Sequence, residues 1–353
     1  MRRAIHHDFT DNAFAARGPA PTAIAASSAG RGGRPPTVSL VPVGLERPFW
    51  SVMIPIYNCR DDYLRETLRS VLCQDPGIAD MQIEVIDNCS TIGDPEAVVR
   101  VMSDGRIEYH RQPVNVGIIE NFNACINRAR GQWVHILHGD DTVRSDFYSS
   151  ARSGIMAHPE VGAAFCRTIY MDQDGQWTGL AELEGRTPGV LDSSFAERQL
   201  LDQRIHFVAI VVRRSTYEDL GGFRSSLPNC LDWDMWKRIA LTKAVYYDPE
   251  PMACYRLHMA AASSRLLATG ENVVEERRSI EYSCAELPPE YAPFIRRAAK
   301  KAAGVRALRR ARHLWKNGQR PAAWRQFTEG MRCSLAPAVL VRSAYFLLRT
   351  VVH

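Results

Sequence analysis

Between Gln132 and Asp141 the largely apolar run Trp133-Val134-His135-Ile136-Leu137 leads into His138, Gly139, Asp140 and Asp141. A short run stopped by glycine and two carboxylates reads as a buried strand that delivers charge to its C-terminal edge. Open α/β sheets bind ligands at that edge. The stretch therefore favours folds in which other strands end beside it. Adjacent acids there suit Mg2+ or Mn2+, which takes carboxylate oxygens and completes its shell with substrate phosphates and water. Taken alone, such a pair is more often a helix N-cap with a solvated neighbour. What decides between the two is the rest of the chain.

Upstream, Ser51 to Ile56 reads as a buried strand closed by Tyr57 and Asn58. Asp61 or Asp62 is placed to cap a helix with Leu64, Leu68, Val71 and Leu72 on one face. A second strand, Ile83 to Ile86, ends at Asp87-Asn88-Cys89-Ser90, and a short helix follows around Pro95 to Val101. Arg106 to Tyr109 reads as a third strand. The turn Asn115-Val116-Gly117 then enters a helix through Phe122, Ile126 and Ala129. This alternation is the signature of a doubly wound sheet. Three strands end in polar, ligand-capable residues, which describes a crevice the size of a nucleotide. Further on, Val161 to Tyr170 is strand-like, Met171 to Gln176 reads as a hairpin turn, and Ile205 to Val212 is apolar. Ser215 to Leu220 reads as a helix ended by Gly221-Gly222, Asp232 to Trp236 opens another, and Ala253 to His258 is the last strand-like run.

The chain has 353 residues, 46% hydrophobic and 24% charged, enough for one large α/β domain and an appendage. A net charge of +5 is too mild to argue for nucleic acid. Nine scattered cysteines without metal-ligand spacing read as reduced core residues and favour a cytoplasmic chain. The N-terminus lacks the apolar segment of a signal peptide, and no stretch of about 20 uninterrupted apolar residues argues for a spanning helix. Residues 1–47, rich in Ala, Gly, Ser, Pro and Arg, read as a disordered tail. Residues 48–271 form the expected catalytic domain, and residues 272–353 a basic helical extension. Its last segment, Leu335 to Val352, is apolar but carries Pro337, Arg342 and Arg349. That pattern fits a helix lying on a membrane surface or on the domain better than one that spans, so peripheral membrane contact is expected through this extension.

The order of these motifs resembles the family 2 glycosyltransferases of the nucleotide-sugar-binding GT-A fold. The resemblance covers about Trp50 to Ser264. Its carriers are Val52 to Asn58, Val85 to Ser90, Asn115-Val116-Gly117, His138-Gly139-Asp140-Asp141, Gly221-Gly222-Phe223, Leu231-Asp232-Trp233-Asp234 and Tyr255-Arg256-Leu257-His258. It implies an α/β fold with a GT-A type doubly wound mixed sheet flanked by helices, followed by the C-terminal helical extension. It also implies a nucleotide-diphospho-sugar donor held by Pro55, Tyr57, Asn58, Asp87 and Asn115, with the Asp87 carboxylate accepting a hydrogen bond from the base. Without the resemblance, Asp87 reads equally as the cap of the following turn.

The family's metal motif is Asp-any-Asp, and His138 stands here in place of its first acid. The resemblance gives Asp140, with His138 and His258, to an Mn2+ or Mg2+ ion bridging the donor diphosphate. Asp141 is expected to support that site or, more often for such a residue, to cap a helix. Asp232 matches the catalytic base, although the acid that usually precedes it is Leu231. Its bland reading is an N-cap. Trp233 and Trp236 are candidates for stacking on an acceptor sugar, though aromatics at that spacing are more often core. The processive synthases' Gln-any-any-Arg-Trp motif is missing, so single addition to a glycan or lipid-linked acceptor is expected, in assembly of a surface polysaccharide or related glycan. Two rivals remain: a degenerate sugar-nucleotide-binding protein without activity, and a membrane-surface scaffold acting through residues 272–353.

Overall fold

The computed structural model describes residues 33–42, 44, 46–257 and 267–351. Strands β1 (Trp50–Ile56), β2 (Met81–Asp87), β3 (Glu108–Arg111) and β4 (Trp133–Ile136) lie parallel in the order β3-β2-β1-β4. Helices α1 (Asp61–Leu72), α2 (Pro95–Ser103) and α3 (Ile118–Arg128) make the crossovers. Side chains alternate across β1: Val52, Ile54 and Ile56 pack with Leu64, Leu68, Val98 and Val99, while Met53 packs with Phe122, Cys125 and Ile126 on the other face. Both faces of β1 are thus covered by helices, which explains why it reads as a nearly continuous apolar run.

The sheet continues through a second half. It holds β5 (Thr142–Val143), α4 (Phe147–Ala157), β6 (Val161–Met171), β7 (Trp177–Leu180), β8 (Gly189–Val190) and α5 (Ser194–Leu201). A 3-10 turn (Phe207–Ala209), β9 (Ile210–Arg213), α6 (Arg214–Leu220), α7 (Leu231–Thr242) and β10 (Ala244–Arg256) follow. The order becomes β3-β2-β1-β4-β9-β6-β10-β5, with β7 on β6 and β8 on β10. β9 runs antiparallel to both β4 and β6, and β6 is parallel to β10. One edge therefore receives the C-terminal ends of β1, β2, β4, β6 and β10 together with the start of β9. This is the doubly wound mixed sheet expected from the sequence.

Two local expectations differ. The N-cap position of α1 is Arg60, with no side-chain cap; Asp61 and Asp62 lie within its first turn, where they suit the helix dipole. The strand-like run at Ala253 is the end of a 13-residue strand, β10. Pro249 and Pro251 hide its earlier part, and the ladder absorbs them as register shifts around Asp248 and Pro251. Residues 33–42, assigned to the tail by composition, run against the domain: Val38 is buried in the core, and the Ser39 carbonyl accepts from Arg214 (2.8 Å).

The extension forms α8 (Glu271–Ala285), α9 (Ala292–Lys316), α10 (Arg320–Cys333) and α11 (Pro337–Val351). Its core joins the domain through Leu200 of α5, which packs with Val273, Ile280, Ile295 and Ala303. Several of its cations are structural. Arg306 pairs with buried Glu276 and lies over the Trp233 ring, and Arg277 pairs with Glu329. One face of α11 packs inward through Val339 and Phe346. Val341, Tyr345 and Leu348 are exposed on the other. No helix among the described residues is long and apolar enough to cross a membrane.

Candidate active site at the strand edge

The loop after β4 is held carbonyl by carbonyl. The Cys59 thiol donates to Gly139 O (3.1 Å), Arg256 Nε to Asp140 O (2.8 Å) and Thr67 Oγ1 to Asp141 O (2.7 Å). Burial and nearby Asp140 push the Cys59 thiol up to about 12, so it stays protonated and able to donate. Gly139 is required by contact, since a Cβ there would lie 2.5 Å from Ile56 Cγ2.

This pinned loop presents His138, Asp140 and Asp141, each with one ligand atom within 4.8 Å of the others. The His138 ring is stacked on Phe122 (5.2 Å, 14°) and packs against Phe207 (4.9 Å). Burial lowers its pKa, keeping it neutral and able to coordinate. Asp141 is not a helix cap. One of its oxygens accepts from the Arg256 backbone N–H (2.8 Å), and the other is buried without a hydrogen bond, as is His138 Nε2. A buried polar atom left this way costs about 1–3 kcal/mol; His138 Nδ1 lies 3.8 Å from that Asp141 oxygen, and a cation held by the imidazole and the carboxylates would give the oxygen a partner. An imidazole and two carboxylates on a pinned loop fit a divalent metal. His258, the further ligand suggested by the sequence, lies outside the described residues.

At the ends of β1 and β2, Pro55 is buried and Tyr57 is exposed. Asn58, at φ 49°, accepts from the Thr91 N–H through its side chain (2.8 Å). Asn88 donates to Asn115 Oδ1 (3.0 Å) and accepts from the Val116 N–H (2.9 Å), tying β2 to the entry of α3. Asp87 is fully buried, and its two oxygens accept from the Ser90 N–H (2.9 Å), the Ser90 hydroxyl, Tyr109 (2.8 Å) and Arg111 (2.6 Å). It caps the turn and also orients Arg111, whose side chain is 45% exposed. Nothing in the sequence pattern distinguishes Arg111 or Tyr109, because β3 is a short, half-exposed strand.

Asp232 lies in the first turn of α7, where Cys230, not Asp232, holds the N-cap position. Gln203 donates to its Oδ2 (2.6 Å), and the loss of solvation around it pushes its pKa up to about 6. Burial raises the phenol pKa of Tyr255, at the end of β10, and the charges of Asp141, Asp232 and Asp140 raise it further. Asp232 and the loop after β4 thus act on the same side chain. Gln203, 29 residues away in sequence, could not have been paired with Asp232 from spacing. Trp233 and Trp236 are buried, with Trp233 Nε1 donating to Gln199 O (2.6 Å), so neither is available for stacking on a sugar. Asp234 holds Arg224 and Arg238, and Arg238 in turn donates to the Gly222 carbonyl (2.9 Å), which makes Asp234 a support of α7.

Residues 51–220 match the family described as Glycosyl transferase family 2. An uncharacterized protein of Mycobacterium tuberculosis is 28% identical over 69% of this chain and 78% of its own length. The putative teichuronic acid biosynthesis glycosyltransferase TuaG of Bacillus subtilis is 33% identical over 36% of this chain, which spans half the length of that relative. Among solved structures, the mannosyltransferase PcManGT from Pyrobaculum calidifontis, in complex with GDP-Man and Mn2+, superposes over 90% of both chains with a TM-score of 0.50 at 18% identity.

Proposed function

Over residues 51–220 the chain belongs to glycosyl transferase family 2, built on the GT-A fold, and we propose that it is an inverting, metal-dependent, non-processive transferase that moves a sugar from a nucleotide-diphosphate donor to a hydroxyl acceptor. The observation that carries this reading is the pinned loop on which His138, Asp140 and Asp141 bring their ligand atoms within 4.8 Å of one another, with two buried polar atoms that make no hydrogen bond. Donor in the pocket lies against Pro55, Tyr57, Asn58, Asp87 and Asn115. All four acceptor positions of Asp87 are taken, so recognition of a base N–H requires Arg111 or Tyr109 to yield one of them. Asp140 and His138, with His258 as the resemblance suggests, hold the cation. When bound, that ion neutralises charge on the departing diphosphate.

Asp232 takes the proton of the acceptor hydroxyl. The acceptor oxygen then bonds to the anomeric carbon from the face opposite the leaving group, and the diphosphate departs with the electron pair of the broken bond. A pKa near 6 leaves the base ionised at neutral pH and still basic enough to act. Surface polysaccharide or a related glycan is the product class, by analogy with relatives such as TuaG. Nine unpaired cysteines fit a reducing, cytoplasmic setting. The exposed Val341, Tyr345 and Leu348 face of α11, next to Arg312 and Arg342, supports peripheral contact with an anionic membrane. Asp140→Asn is the decisive test. Metal-dependent binding of donor and turnover are expected to vanish while the thermal melt is kept, and full activity in that variant would sink the assignment.

A further inference from the structure

Tyr170 and Tyr255 are Cα partners in the parallel β6 and β10 pair, so their side chains share one face of the sheet at the ligand-binding edge. His206 precedes the 3-10 turn into β9 and reaches the same edge. The tyrosine ring centroids are 6.4 Å apart at 78°, and the His206 ring lies 5.4 Å from Tyr170 and 5.1 Å from Tyr255. All three side chains are half-buried, lining the edge without being sealed into the core.

His206 belongs to a connection that touches both parts of the site. Three residues earlier, Gln203 holds Asp232 (2.6 Å), and one residue later Phe207 packs on the His138 ring (4.9 Å). His206 Nδ1 is buried with no hydrogen-bond partner. Burial also lowers the imidazole pKa to about 4, so the ring is neutral at physiological pH. A neutral ring nitrogen without a partner, at a half-open aromatic corner, calls for a hydroxyl.

We propose that Tyr170, His206 and Tyr255 form the subsite for the pyranose ring of a neutral acceptor glycoside, with the acceptor hydroxyl directed to Asp232. The proposal rests on the transferase reading above. Aromatic walls with a single placed polar group suit a sugar, which offers an apolar C–H face and hydroxyls at its rim. The surrounding charge argues against an anionic acceptor. Asp141, Asp232 and Asp140 act on Tyr255, and Arg204, whose charge acts on Tyr170, is already paired with Glu182 and Glu184.

The probes are the p-nitrophenyl glycosides of glucose, galactose and mannose, followed by saturation-transfer NMR on the full chain with diamagnetic Mg2+ and saturating UDP or GDP. At least one glycoside is expected to receive saturation on its ring protons. That signal is expected to fall at least fivefold in His206→Ala and in Tyr170→Leu, and less in His206→Asn, which keeps a polar atom near Nδ1. Nucleotide binding and the thermal melt of each variant report whether it is folded, and the two single substitutions guard against one of them failing to fold. An unchanged glycoside signal in a folded variant overturns the subsite. So does the lack of any glycoside signal in wild-type protein that binds nucleotide. If neither nucleotide binds, the transferase reading itself has failed, and the subsite falls with it.

Discussion

At the scale of single residues, the two acids assigned by resemblance make opposite demands on a binding and turnover measurement. Asp232 accepts a proton only as a carboxylate, and its pKa is raised to about 6 by lost solvation. Transfer is therefore expected to be full above about pH 6 and to fall as the pH drops through it. Asp232→Asn keeps the shape but removes basicity. Single-turnover transfer should fall by about 100-fold or more with donor affinity kept. The raised pKa also means that the charged form is disfavoured in the folded chain, so the penalty is present above pH 6 and absent below the usual carboxylate range. The variant should melt no lower than wild type at pH 7.5. Asp87→Asn should instead weaken donor binding, because it loosens Arg111, with a smaller effect on turnover of bound donor. Loss of donor binding in Asp232→Asn with normal transfer at saturation would move the search for the base elsewhere. Asp87 and Asp140 were legible because each follows an apolar run, and Asp232 was legible through its match to the family's motif. Arg111, Gln203 and His206 were not, because their partners lie in distant elements and their own surroundings carry no pattern.

At the scale of elements, the metal loop depends on neighbours more than on its own sequence. Gly139→Ala forces a Cβ against Ile56, and overpacking of this kind costs about 1–3 kcal/mol. A lower melting temperature with weakened Mn2+ binding by calorimetry is the expected result. Arg256 holds the Asp140 carbonyl, supplies the backbone N–H to Asp141, pairs with Glu66 and lies over the Tyr63 ring (4.3 Å). Losing such a support for a ligand set costs about 10–100-fold in metal affinity, and Arg256→Met is expected to show it. Unchanged Mn2+ affinity would mean the loop holds its shape alone. The early elements could be read from the sequence, since β1 is a largely apolar run buried on both faces and α1 to α3 each bury one face. β10 could not, because its prolines break the pattern that its sheet neighbours repair.

At the scale of the molecule, the extension is joined to Trp233, the residue beside Asp232. Arg306 of α9 and Lys237 of α7 both lie over Trp233, and Lys237 Nζ donates to Ser279 of α8. Glu276→Ala would remove the main partner of half-buried Arg306, leaving it Asp202 and the Leu201 carbonyl, and is expected to lower the melting temperature and acceptor turnover together. Removing residues 334–353 should release the protein from phosphatidylglycerol vesicles in flotation while sparing transfer to a short soluble acceptor. Aggregation of the shortened chain would show that α11 is chiefly a packing element. The direction of β9 has one further consequence. Apart from His258, the residues proposed for the donor lie on segments up to Asp141, whereas the proposed base Asp232 and Tyr170, His206 and Tyr255 come from the chain beyond it, and the two parts meet where β4 pairs with β9 through three residue pairs and where Arg256 holds the Asp140 carbonyl. Under that assignment, recognition of what is given and of what receives it is written largely in separate, consecutive stretches of the chain, and recombination near residue 145 exchanges one specificity only where the incoming stretch keeps Arg256 to hold the loop after β4.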